Sequence, residues 1–99
     1  MKVRATGRAK REIARAALWW KANRPQAPQL FLDELEAAGQ HLCSAPISGQ
    51  IYGYRKNRLI RRWLLEKSEY HVYFSVNPKD QLVVLHSVWG ARRGRSPKL

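Results

Sequence analysis

The side chains able to do chemistry in this chain are mostly cations, and they come in clusters. Arg55-Lys56-Asn57-Arg58 follows a Tyr-Gly-Tyr segment, Arg61-Arg62 lies in a strand-like run, and Arg92-Arg93-Gly94-Arg95 follows Trp89-Gly90-Ala91. Arginine grips phosphate or carboxylate in a planar fork. Tyr52, Tyr54, Tyr70 and Tyr73 offer rings on which bases stack. His41, His71 and His86 have no metal-ligand spacing. His71 alternates with Tyr73 and titrates near neutrality, so in a ribonuclease it could move the proton of a 2′-hydroxyl. His41 suits a helix end and His86 a structural bond. Cys43 reads as a packed free thiol. No Gly-x-Ser-x-Gly elbow and no phosphate-binding glycine loop is present. Neither a metal nor a cofactor is expected.

The 99 residues form one domain, residues 1–99, with 44% apolar content and room for one core. The balance of 19 Lys and Arg against 7 Asp and Glu leaves a net charge of +12. Such a field attracts polyanions and acidic protein segments. The excess is concentrated after residue 48, whereas Asp33, Glu34 and Glu36 cluster before it. No apolar run is long enough to span a bilayer. The start Met-Lys-Val-Arg-Ala-Thr lacks a signal-peptide core. One cysteine excludes an internal disulfide. The cytoplasm is the simplest compartment.

These groups must be held by regular elements. Residues 2–6 alternate as a short edge strand. Ala9, Ile13, Ala16, Ala17 and Trp20 form a helical stripe from Arg8 to about Asn23, with Thr6 able to cap it and Glu12 on an outer face. Arg24-Pro25 ends that helix. Phe31, Leu35, Ala38 and Leu42 repeat as a second helix that begins near Pro28 and stops at Ser44-Ala45-Pro46. The short link predicts an antiparallel helical hairpin. Residues 51–54 are strand-like but weakened by Gly53. Residues 59–66, 70–76 and 82–89 are strands joined by short, antiparallel-type links. Val72, Phe74 and Val76 share one face, and His71, Tyr73 and Ser75 the other. Val83, Leu85, Ser87 and Trp89 share a face of the last strand. Residues 94–99 read as a fraying tail. The expectation is an α+β fold of order β-α-α-β-β-β, its helical hairpin packed on one face of a small antiparallel sheet.

Several segments together resemble the RelE/ParE superfamily of toxins from type II toxin–antitoxin modules. They are Ala9-Lys10-Arg11-Glu12-Ile13, Trp20 ahead of Arg24-Pro25 and Ala27-Pro28 with Phe31, Leu42 with Pro46 and Gly49, Arg61-Arg62, Tyr70-His71-Val72-Tyr73-Phe74, and Val88-Trp89-Gly90-Ala91-Arg92-Arg93-Gly94-Arg95. The resemblance implies a helical hairpin on an antiparallel sheet and a small basic toxin. RelE-like members cut messenger RNA on the ribosome with Lys and Arg residues and a C-terminal Tyr. ParE-like members inhibit DNA gyrase. Here His71 stands where the ribonuclease branch carries Arg, Arg61 and Arg62 stand where it has lysines, and the tail has no tyrosine. The ParE-like branch is therefore favoured.

Two toxin mechanisms and one simpler role follow. A gyrase poison would contact its target through Arg61, Arg62, Arg92, Arg93 and Arg95. A ribosome-dependent endoribonuclease would use His71 for the proton and Arg61, Arg62 and Arg92 for phosphate. A general nucleic-acid-binding module would bind any duplex with a steep salt dependence. Either toxin would form a hetero-oligomer with a cognate acidic antitoxin lying along the helical hairpin and sheet edge, with Arg15, Trp19 and Trp20 as anchors.

Overall fold

The computed structural model describes residues 1–99. Strand β1 (Lys2–Ala5) leads into helix α1 (Gly7–Asn23), then helix α2 (Leu30–Ser44) and strands β2 (Gln50–Arg55), β3 (Arg58–Leu65), β4 (Tyr70–Asn77) and β5 (Leu82–Gly90). The five strands form one sheet in the order β1-β5-β4-β3-β2. The α+β class and helical hairpin agree with the sequence reading.

Thr6 caps α1, its Oγ1 accepting from the Ala9 N–H at 3.1 Å. Ala9, Ala16 and Trp20 are buried on one stripe, and the small alanines let the helix approach the sheet closely. Phe31, Ala38 and Leu42 do the same for α2, so both helices close over Leu65, Val72, Phe74, Val83, Leu85 and Val88. Glu34 ties α2 to the β3–β4 turn. Its carboxylate accepts from the Lys67 and Ser68 N–H groups at 2.7 and 2.8 Å and from Ser68 Oγ at 2.6 Å. Burial alone would raise the Glu34 pKa, but these hydrogen bonds and the Lys67 charge outweigh it and hold the carboxyl below its ordinary range.

Four details depart from the expectation. Residues 50–55 are a full strand, making five strands in all. Lys56 and Asn57 both take positive φ, 53° and 62°, so the two-residue turn matches the twist of a hairpin. Gly53, expected to weaken the strand, follows a bulge at Tyr52 and stays paired, opposite Ile60. The β1–β5 pair is parallel, so the sheet is mixed. In β5, His86 is an extra residue, since Phe74 pairs with Leu85 and Tyr73 with Ser87. This bulge breaks the alternation: Val88 joins the core, while Trp89 lies opposite His71. Finally, residues 94–99 fold back. Trp89 Nε1 donates to the Arg95 carbonyl at 2.9 Å, Arg8 Nη1 donates to the Lys98 carbonyl, and Pro97 is buried.

The face away from the helices is not bare either. Ile60, Tyr73 and Val84 are buried there, Tyr52 sits edge-on to Tyr73 with ring centroids 4.9 Å apart, and Ser75 Oγ lies 2.7 Å from His86 Nε2. Burial and the Arg58 charge lower the His86 pKa.

Candidate functional site

Two hollows flank the end of β5. The larger is a groove of about 760 Å³ between α1, the β3–β4 turn and the residues after β5. Glu12, Arg15, Ala16, Trp19 and Trp20 line it because residues three and four apart share a helix face. Lys67 and Glu69 come from the turn, and Trp89, Arg92 and Arg93 from the far side. Trp19 is 44% exposed and meets buried Trp20 edge-on, with centroids 6.0 Å apart. The Arg24 guanidinium lies 5.1 and 5.8 Å from their ring centroids. Trp20 Nε1 is buried without a hydrogen-bond partner.

The acids of this groove are committed. Glu12 Oε1 accepts from Ser87 Oγ at 2.8 Å and from the Val88 N–H at 3.1 Å, while Oε2 receives Arg8 Nε at 3.3 Å. Glu12 thus points inward, not to an outer face. It bridges a pair of β5 polar groups that the bulge leaves facing the helix. Glu69 Oε2 lies 2.8 Å from Arg92 Nε.

The smaller hollow, about 170 Å³, lies on the other side of Trp89 and is lined by Arg62, His71, Tyr73, Arg93 and Arg95 with no carboxylate. Arg62 stands opposite Tyr73 in the β3–β4 register. Its Nη2 donates to Gln50 Oε1 at 3.0 Å, its guanidinium lies 5.7 Å from the Tyr52 ring centroid, and its Nε is buried with no acceptor. Burial and the Arg62 charge lower the His71 pKa, so the imidazole is neutral at pH 7. Arg93 stacks on Trp89 at 4.1 Å. The docked tail supplies the outer wall through Gly94, Arg95 and Ser96. Fixed cations around a neutral base can hold a phosphate-sized anion and accept a proton beside it.

The expected site residues therefore divide. Arg15, Trp19, Trp20, Arg92 and Arg93 meet in the groove; Arg62, His71, Arg93 and Arg95 meet in the smaller hollow. Arg61 joins neither. It pairs with Phe74 on the opposite face of β3 from Arg62. Among the tyrosines, Tyr70 packs on Phe31 and Tyr73 is buried, leaving Tyr54 as the widely exposed ring. His41 stacks on Trp63 at 4.7 Å and bonds Ser48. No group of three His, Cys, Asp or Glu side chains comes together. Glu12, Arg24, Lys67 and Glu69 were not singled out from the sequence. A signal existed for Glu12, the lone acid of α1 among five cations.

Comparison with protein-family models and with curated proteins gave no match.

Proposed function

We propose that this chain is the toxin of a type II toxin–antitoxin pair, of the ParE-like kind, which binds DNA gyrase without catalysis and is held in check by an acidic partner. The observation that carries the reading is that the positive charge is unspent. Of 19 Lys and Arg, only Arg8 and Arg92 contact a carboxylate. A small domain that keeps such self-repulsion has use for it in binding.

The groove suits the partner. Its aromatic floor and cationic rim fit a segment with apolar anchors and carboxylates. Because Arg92 and Arg93 line the same groove as Trp19 and Trp20, a partner seated there also covers two of the arginines assigned to the target. Neutralisation is then direct occlusion. The non-catalytic reading is supported by the scatter of the ribonuclease set: Arg92 is ion-paired with Glu69, and Arg61 and Arg62 point to opposite faces.

A second reading has its own support. Neutral His71 beside Arg62, Arg93 and Arg95 suits abstraction of a 2′-hydroxyl proton next to a bound phosphate, as in a ribosome-dependent endoribonuclease. One pair of assays separates the two. Purified protein should block gyrase supercoiling while leaving messenger RNA on ribosomes intact. Untouched gyrase together with cleavage that vanishes in His71→Ala would reverse the choice. Both toxin readings expect growth arrest on solo expression, cured by co-expression of the acidic partner. Normal growth with soluble protein would remove both.

A further inference from the structure

The smaller hollow is walled on its outer side by residues of the chain's own tail, Gly94, Arg95 and Ser96. The tail is fastened at few points. Trp89 Nε1 donates to the Arg95 carbonyl at 2.9 Å, Arg8 Nη1 donates to the Lys98 carbonyl, and Pro97 between them is buried. Arg8 comes from the first turn of α1, 90 residues away in the chain. It is itself braced. Its Nε donates to Glu12 Oε2 at 3.3 Å, and Glu12 Oε1 holds Ser87 and Val88 just ahead of Trp89. A ring of bonds therefore runs from the tail through Arg8 and Glu12 to the end of β5, and back through Trp89 to the tail. The same Trp89 carries the Arg93 guanidinium on its ring.

Two forces oppose each other here. Arg62, Arg93 and Arg95 converge on a hollow that no carboxylate lines, so their repulsion pushes the tail outward. The Trp89 and Arg8 ties and the burial of Pro97 pull it in. A chain end with so few attachments opens at low cost. An anion among the three guanidinium groups turns the repulsion into attraction. Anion and docked tail then favour each other, and each strengthens the other by the same factor.

We propose that the tail is a strap that completes this hollow as a phosphate site, and that Arg8 is a positioning residue that sets the phosphate affinity by holding the strap. Arg8 is not among the residues lining the hollow, so it acts through the tail alone. The proposal rests on the hollow being an anion site, whether the cellular target is gyrase or messenger RNA. The phosphate is free or part of a nucleic-acid backbone. Arg95 arrives only with the strap, so an undocked tail leaves Arg62 and His71 on an open sheet face.

The test uses the full chain at pH 7, titrated separately with inorganic phosphate and with a dithymidine phosphodiester. NMR follows the Trp89 indole N–H and the amides of residues 93–99. In the intact protein, anion binding should slow exchange of the indole proton and quiet the tail amides. Arg8→Ala and Pro97→Gly loosen the strap at different points. Each should release the indole signal and lower phosphate affinity about tenfold, the factor expected when the docked fraction falls to about a tenth. Lys98→Ala removes a positive charge but keeps the carbonyl that Arg8 holds, so it should bind as the intact protein does. Arg8→Lys keeps a donor and should restore part of the loss. Thermal melting identifies a variant that fails to fold, and the other then decides. The tighter of the two probes tells free phosphate from backbone phosphate. No binding of either probe at millimolar concentration by the intact protein would remove the hollow as an anion site, and the coupling with it. Binding by the intact protein that is undiminished in Arg8→Ala and Pro97→Gly would overturn the coupling alone. So would an equal loss in Lys98→Ala, which traces the effect to charge, or tighter binding once the tail is free, which makes the strap a block.

Discussion

The groove and the smaller hollow share Trp89, Gly90 and Arg93 yet differ in kind. The groove is aromatic, holds two carboxylates already in use, and at about 760 Å³ is several times larger than the other. The smaller hollow has cations, a neutral imidazole and no acid, and its size suits a single anionic group. The division arises from one backbone event. The β5 bulge at His86 sends Val88 toward the helices and Trp89 away from them, so one strand end supplies walls to both sides. Carboxylates in a cationic site cancel its attraction for phosphate but leave its rings free for apolar anchors. The lesson is that a high net charge does not make every basic surface an anion site; local acids decide which.

That contrast can be broken most strongly at Glu12. Glu12→Ala leaves the Ser87 hydroxyl and the Val88 N–H facing the helix with no acceptor, and should cost about 3 kcal/mol. Denaturant unfolding measures it; a loss under about 1 kcal/mol would mean that Glu12 does not hold the strand end in place. Gly49→Ala comes next. Gly49 has φ of 86°, and a Cβ there would sit 2.6 Å from the Arg62 carbonyl oxygen, so β2 must move from β3 at a cost of about 2 kcal/mol. Thermal melting should show this, with anion binding at Arg62 weakened and the groove unchanged. Arg62→Gln should lower the affinity for a short phosphodiester about tenfold, roughly 1.4 kcal/mol, and leave the groove's peptide affinity as it was. Equal loss at both sites would erase the distinction.

The smallest effects are in pH. The folded His71 pKa lies below its ordinary 6.5. As pH falls through 6.5 the unfolded chain takes up that proton first, so stability declines until the lowered folded value is passed, then levels. Over the same range protonated His71 should strengthen anion binding in the smaller hollow only. His71→Gln should abolish the gain, and His86→Gln, which removes a second lowered histidine, should not. Glu34 acts in acid. Its contribution is complete above its ordinary 4.5 and is lost as pH falls through the lowered folded value. Glu34→Gln should flatten that limb of the stability profile.

Much of the fold was legible along the chain. The stripe Ala9, Ile13, Ala16, Trp20 and the repeat Phe31, Leu35, Ala38, Leu42 place both helices within about two residues of their ends. The last three strands emerge equally well, because alternation and turn residues are local signals. Residues 51–54 were harder, since Gly53 reads as a breaker unless the bulge beside it is known. The site was legible by type but not by grouping. The arginines, His71 and the tryptophans stood out, and strand alternation already sets Arg61 and Arg62 on opposite faces, yet nothing local shows that Arg62 meets His71, Arg93 and Arg95.

What the sequence alone determined is the set of elements and the sign and size of the charge, because periodicity and composition act over a few residues. Only the tertiary structure decided which charges stay free. The Glu12–Ser87 bond, the Arg8–Lys98 tie that docks the tail, and the extra residue His86 all join or reorient parts of the chain far apart in sequence. A one-residue slip in strand register turns every later side chain to the other face, and no local pattern records where that slip falls.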